Sequence, residues 1–79
     1  MKPIRNSKEL GAAIRTARKR IGATQKQLAM TSGVGLRYLI ELEGGKPTAR
    51  MEGVFRVLQA LGMNVFVSSS SLEQDASEK

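Results

Sequence analysis

The sequence contains no cysteine, no histidine and no tryptophan among its 79 residues. Without cysteine the fold cannot be held by disulfides, and without cysteine or histidine it lacks the usual ligands of a structural zinc site. Aromatic residues make up only 4% of the chain. A domain this small buries only about 60% of its unfolded surface, so association with a second copy is the remaining common means of stabilisation. We expect neither a metal nor a cofactor.

Other absences argue against whole classes of function. No apolar run approaches the roughly 18 residues of a membrane span, and the N-terminus lacks a hydrophobic signal region, so we expect a cytoplasmic protein. Residues 1–70 hold only four carboxylates, at spacings that suggest no acid–base site. Neither a GxxxxGK[ST] loop nor a GxGxxG loop is present. These features disfavour an enzyme. Membrane-surface binding is also disfavoured, because the first predicted helix has a small apolar stripe without Trp or Phe.

The net charge of +6 is unevenly distributed. Residues 1–70 carry twelve Lys or Arg against four acidic residues, whereas residues 71–79 carry one Lys against three. A basic folded part with an acidic tail indicates a nucleic-acid partner. The alternative is a basic surface that serves only solubility, and charge alone does not choose between the two.

The central stretch, residues 24–45, organises the rest of the chain. Thr24 and Gln27 have the spacing of a capping box at the start of a helix. Gly33 can take the left-handed conformation that ends that helix. Leu39 and Leu42 then lie three residues apart, on one face of a second short helix. Two short helices joined by a glycine-containing turn predict a helix-turn-helix motif.

Two further helices flank this motif. The first runs from Asn6 or Ser7, the two candidate caps, to about Ile21, and its apolar stripe is Leu10, Ile14, Ala17 and Ile21. The fourth runs from about Thr48 or Arg50 to Leu61, and its apolar stripe is Met51, Val54, Leu58 and Leu61, with Phe55 and Val57 beside it. Gly53 inside the fourth helix suggests close helix packing.

The segment after Gly62 has the composition of a strand, because it is rich in β-branched and aromatic residues. A lone strand leaves its backbone groups unpaired, so the simplest solution is antiparallel pairing with a second copy across a two-fold axis. The alternative is an irregular apolar segment packed on the fourth helix. Four residues are predicted to form the dimer interface: Met63, Val65, Phe66 and Val67.

The motif resembles a known family. Over about residues 7–62 the chain is similar to the lambda-repressor-like (XRE/Cro) helix-turn-helix DNA-binding domains. The residues that carry this similarity are Thr24-Gln25-x-Gln27-Leu28-Ala29, Gly33-Val34, Tyr38-Leu39 and Leu42-Glu43-x-Gly45-Lys46-Pro47. The resemblance implies an all-α, compact four-helix domain, here followed by one short C-terminal β-strand that pairs across a dimer. The expected organisation is a basic arm (1–6), the DNA-binding domain (7–62), a dimerisation strand (63–69) and a disordered tail (70–79).

Within this family, four helices followed by LGMNVFV resemble the HipB-type antitoxins. That resemblance implies a homodimer that represses its own operon and binds a HipA-type kinase toxin. The alternatives are a stand-alone phage-type regulator and a protein that acts mainly as a toxin-binding inhibitor. The family also implies an ion pair between Arg18 and Glu43, tying the first helix to the end of the third.

A helical wheel of the third helix, drawn with Leu39 and Leu42 inward, defines the face that would enter the major groove of duplex DNA. Its residues are the candidate base readers: Arg37, Leu36, Ile40 and Glu41. The Arg37 fork matches guanine O6 and N7. Leu36 and Ile40 contact thymine methyls or pack against protein, and Glu41 accepts from cytosine N4 or holds Arg37.

Phosphate contacts are expected first at the start of the second helix, whose free N–H groups attract anions. The candidate phosphate contacts are Thr24, Gln25, Lys26, Tyr38, Lys46 and Arg50. Gln25 matches a phosphate-contacting position of the family, and the Tyr38 ring could instead fill space against the second helix. A two-fold dimer implies a palindromic operator with half-sites about 34 Å apart.

Overall fold

The computed structural model describes residues 2–69, in which four α-helices follow one another. They are α1 (Ser7–Arg20), α2 (Gln25–Ser32), α3 (Leu36–Glu43) and α4 (Met51–Ala60). The predicted all-α helix-turn-helix architecture is confirmed, and the predicted helix ends differ from these by no more than a few residues. The tail at 70–79, predicted to be disordered, lies outside the described residues.

Side-chain caps fix where the first two helices begin. The Asn6 side chain accepts from the Glu9 backbone N–H at 2.8 Å. Thr24 Oγ1 accepts from the Gln27 backbone N–H at 3.0 Å, and Gln27 Oε1 accepts from the Thr24 N–H at 2.8 Å. The predicted capping box therefore closes in both directions. Gly33 ends α2 at a φ of 73°, the left-handed conformation that the sequence required of it.

The hydrophobic core lies where the helices cross. α1 packs on α3, and α2 packs on both α3 and α4. Leu39 and Leu42 face inward as predicted, and the least exposed large side chains are Ile14, Leu39, Leu42 and Val57. Leu28, Ala29, Val54 and Leu58 complete the buried apolar set.

The predicted apolar stripes were wrong at three positions. Ile21 is 63% exposed, because α1 ends at Arg20 and Ile21 is its C-cap. Met51, the first residue of α4, is 62% exposed. Val57, predicted to flank the stripe, is fully buried, because the inward face of α4 is centred on Val54, Val57 and Leu58.

Two glycines allow helices to approach closely. A Cβ built on Gly11 would lie 2.7 Å from the Glu43 carbonyl oxygen, so α1 packs directly on the backbone at the end of α3. A Cβ on Gly53 would lie 2.7 Å from Cε2 of the Tyr38 ring. The close packing suggested for Gly53 is therefore confirmed, and its neighbour is α3.

The chain leaves α4 through Gly62, whose φ is 70°. The Met63 N–H donates to the Leu58 carbonyl at 2.9 Å, and its half-buried side chain packs against the core. Residues 63–69 form no strand within this single copy, where no second strand is present to pair with them. Within residues 2–69, no helix combines the length and apolarity needed to cross a bilayer.

Candidate nucleic-acid interface

The outward face of α3 is open to solvent. The Arg37 side chain is 92% exposed, and Leu36 and Ile40 are exposed at 42% and 47%. Leu39 and Leu42, on the other side of the same helix, are buried. The helix thus buries one stripe and leaves the predicted base-reading face accessible, with apolar side chains on both sides of an arginine.

Glu41 lies between two cations on this face. Its Oε2 is 3.7 Å from Arg37 Nε, one helical turn earlier, and its Oε1 accepts from Lys46 Nζ at 3.1 Å. The Lys46 backbone N–H also donates to the Glu41 carbonyl at 3.0 Å, so the loop after α3 folds back onto the last turn of the helix. This arrangement matches the alternative in which Glu41 holds Arg37.

A buried ion pair lies beneath the motif. Arg18 Nε donates to Glu43 Oε2 at 2.7 Å and Nη2 donates to Oε1 at 3.0 Å, while Nη1 donates to the Ala23 carbonyl at 2.8 Å. Both residues are only 8% exposed. The hydrogen bond that Arg18 donates to Glu43 raises the pKa of the guanidinium, outweighing the effect of burial. This ion pair therefore joins α1 to the end of α3.

Gln25 extends this network to α2. Its Nε2 donates to Glu43 Oε1 at 3.0 Å, an interaction that the sequence reasoning did not foresee. One carboxylate consequently joins the start of α2 to the end of α3 and to α1. Thr24 and Lys26, the neighbouring phosphate candidates, are exposed at the same helix N-terminus. The network fixes the position of that N-terminus relative to α3.

Tyr38, a candidate phosphate contact, has its hydroxyl engaged within the protein. Its ring packs against Gly53 of α4, and its hydroxyl donates to the Arg50 carbonyl. Since a phosphate oxygen only accepts, a hydroxyl whose hydrogen is already donated is a poor phosphate donor. Burial raises the pKa of Tyr38 above the ordinary 10.0, although the positive charge of Arg50 opposes the shift. Tyr38 therefore joins α3 to the start of α4.

Arg56, an exposed side chain of α4, makes two contacts. Its Nη2 donates to Glu52 Oε2 at 3.0 Å and its Nη1 donates to the Gly33 carbonyl at 3.4 Å. The Glu52–Arg56 spacing of four residues was visible in the sequence. The contact from α4 to the turn between α2 and α3 was not, because it joins residues far apart in the chain.

A separate apolar groove of about 330 Å³ lies between the N-terminal arm and the segment after α4. Large apolar side chains line it: Ile4, Leu10, Met51, Phe55, Met63, Val65 and Phe66. Phe66 and Val67 are 79% and 92% exposed. Three of the four predicted interface residues are therefore open to solvent, while Met63 packs partly on its own core.

The fold and the exposed face of α3 define a helix-turn-helix protein. The chain is 44% identical, over 64 residues, to an uncharacterised HTH-type transcriptional regulator, y4mF, of Sinorhizobium fredii strain NBRC 101917 / NGR234. The match covers 81% of this chain and 84% of that protein. The chain therefore belongs to the family of helix-turn-helix transcriptional regulators. No family model matches the sequence.

Solved structures of HipB share the fold. A HipB–O4 20mer complex aligns over 89% of this chain and 99% of its own, with a TM-score of 0.81 and 21% identity. A HipA–HipB–O2–O3 complex aligns over the same shares with a TM-score of 0.82 and 21% identity. The predicted likeness to HipB within the lambda-repressor-like class is thus confirmed at the level of the fold.

Proposed function

We propose that a homodimer of this chain binds a palindromic operator in double-stranded DNA and represses transcription, with α3 in the major groove. The observation that carries this proposal is the exposure of Arg37 on the outward face of α3, beside a fixed helix N-terminus. Arg37 reads guanine through its fork, and Leu36 and Ile40 contact the base edges beside it. The HipB structures that share the fold include complexes described with O4 and O1–O2.

The phosphate contacts come from two places on either side of Arg37. The first is the start of α2, where Thr24, Gln25 and Lys26 accompany the free backbone N–H groups of a helix N-terminus. The second is the loop beyond α3, where Lys46 and Arg50 line one shallow pocket together with Glu41. Such contacts orient the protein on any duplex and carry no sequence information.

A homodimer carries two copies of Arg37, one for each half-site of the palindromic operator. The segment at 63–69 pairs with its copy across a two-fold axis, and Val65, Phe66 and Val67 cover the apolar groove beside Ile4, Met51 and Phe55. Support comes from the exposure of these side chains, since contiguous apolar surface of this kind marks an interface. Pairing between two identical segments also gives backbone donors and acceptors the partners that an isolated strand lacks.

Selection of bound duplexes from a random library tests the proposal. We expect a palindrome whose half-sites lie about one helical turn apart. Arg37→Ala should weaken operator binding by about 10- to 100-fold, the range of a bidentate arginine contact, and weaken random-duplex binding far less. Lys26→Ala is the matched control, because a phosphate contact should weaken both duplexes alike and lower the salt slope by about 1. Equal losses for Arg37→Ala on both duplexes would contradict its role as a base reader.

We further propose that the repressor is the antitoxin of a HipA-type kinase toxin. The support is a solved structure of the same fold that contains HipA together with HipB. Co-expression with a HipA-type kinase from the same genome should give a stoichiometric complex on size exclusion. Arg37→Ala should keep that complex while losing the operator. Absence of a complex would leave a stand-alone regulator, and a complex without operator binding by the unmodified chain would indicate a toxin-binding inhibitor.

A further inference from the structure

Two ion pairs form a bridge that consists of Arg37, Glu41 and Lys46. This bridge connects a proposed base contact with a proposed phosphate contact. Arg37 is the proposed base reader and Lys46 a proposed phosphate contact, and Glu41 faces both, at 3.7 Å and 3.1 Å. Glu41 is also the sole acidic residue among the four that form the outward face of α3. We propose that Glu41 raises specificity by restraining Arg37 and weakens phosphate attraction by holding Lys46, an inference that rests on the DNA-binding function proposed above.

The Arg37 contact preorganises the reader. Glu41 faces Nε, and the structure gives Arg37 no other partner within residues 2–69, so its two terminal amino groups remain available for the bidentate contact with guanine. An exposed arginine loses much side-chain freedom when it binds a base. The Glu41 carboxylate, one turn away on the same helix, restricts that freedom before the protein binds DNA. Glu41 therefore favours the contact that distinguishes one sequence from another.

The contact between Glu41 and Lys46 weakens the attraction of Lys46 to DNA phosphates. Lys46 Nζ is paired with Glu41 and its backbone N–H is bonded to the Glu41 carbonyl, so the cation is held close to the carboxylate. Lys46 must give up its ion pair with Glu41 before it can fully neutralise a phosphate. The half-exposed carboxylate itself repels phosphates on any duplex. Operator and random duplexes present the same phosphates, so these losses lower the affinity for both by a similar factor.

Glu41→Gln tests the bridge, because it removes the charge and keeps the shape. Glu52→Gln is the matched control: it removes the same charge from α4, where Glu52 pairs with Arg56 at the same i, i+4 spacing. Binding to the duplex selected by the unmodified chain and to a random duplex is measured across a salt series, with circular dichroism to check the fold of each variant.

We expect Glu41→Gln to tighten random-duplex binding and to steepen its salt slope by about 0.9, the value for one additional phosphate contact. The ratio of operator to random affinity should fall about three- to fivefold, or roughly 0.6–1 kcal/mol, the upper part of the range for an exposed ion pair. Glu52→Gln should shift both affinities by a similar factor and keep the ratio. A ratio for Glu41→Gln within twofold of the unmodified chain would overturn the inference.

A loss confined to one C·G pair of the operator, with random binding and its salt slope unchanged, would also overturn it and show that Glu41 reads cytosine. If the unmodified chain binds no duplex, the DNA-binding function itself fails. If the unmodified chain prefers its selected duplex and Glu41→Gln keeps the ratio, only the role of Glu41 fails.

Discussion

Arg18 and Glu43 lie 25 residues apart in the chain and share two hydrogen bonds in the interior, between the second half of α1 and the last residue of α3. Gln25 donates to the same carboxylate, and the Ala23 carbonyl accepts from the same guanidinium. The pair therefore joins three helices at one point. Its position beneath the start of α2 and the end of α3 holds together the two elements that the proposed function brings to DNA.

Arg18→Met should destabilise the fold by about 3–5 kcal/mol, because it leaves the Glu43 carboxylate buried without its main partner. Urea unfolding followed by circular dichroism measures the loss. Glu52→Gln, which breaks an exposed pair, should change stability by no more than about 1 kcal/mol. If Arg18→Met proves too unstable to fold, the double variant with Glu43→Leu should recover much of the loss. A single variant as stable as Glu52→Gln would contradict the prediction.

Gly11→Ala should destabilise the domain by about 1–3 kcal/mol. The new methyl group would meet the backbone carbonyls of Leu42 and Glu43, so α1 would have to move away from α3. Gly44→Ala is the matched control, since its Cβ would lie 3.4 Å from the Ile40 carbonyl at a φ of −78°. That variant should be near neutral or slightly stabilising. Equal unfolding midpoints for the two variants would refute the close packing of α1 on α3.

Tyr38→Phe should lower the stability at neutral pH by about 0.5–1.5 kcal/mol, through loss of the hydrogen bond to the Arg50 carbonyl. The difference should also depend on pH. Because the folded pKa of Tyr38 is raised above 10.0, the folded state holds the phenol proton more tightly than the unfolded state. The stability contributed by the hydroxyl is thus fully present below pH 10 and is lost as the pH rises through the folded pKa.

Urea midpoints of both proteins from pH 7 to pH 11 check this prediction. Lysine titration affects the two proteins alike and cancels in the difference. If the stability difference between the two proteins increased above pH 10, the predicted direction of the pH dependence would be wrong.

Phe66→Glu should convert the proposed dimer into a monomer, because it puts a charge into the interface proposed above. Sedimentation equilibrium measures the molecular mass directly. Met30→Glu is the matched control: Met30 is also a large apolar residue, 74% exposed, but it lies on α2 and does not line the groove. Its substitution should leave the dimer intact. A monomeric unmodified chain, or a Phe66→Glu variant that still dimerises, would refute the proposed interface.

Local patterns predicted much of the fold. The Thr24–Gln27 capping box, the left-handed Gly33 and the inward pair Leu39 and Leu42 depend on residues within a few positions of one another, so the sequence displays them directly. The errors at Ile21 and Met51 arose at helix ends. Ile21 follows the last residue of α1, and Met51 is the first residue of α4. A periodic pattern shows which side chains share a face, but it does not show how far along that face a neighbouring helix reaches.

The sequence by itself determined the helix-turn-helix, the exposed position of Arg37 and the basic charge of the folded part, because each follows from neighbouring residues or from composition. Only the tertiary structure decided that Gln25 joins the Arg18–Glu43 pair, that the Tyr38 hydroxyl is held by Arg50, and that Glu41 lies between Arg37 and Lys46. Helix periodicity specifies which side chains share a face. It does not specify which other elements that face contacts. Those contacts determine the hydrogen-bond and ion-pair partners of a polar side chain.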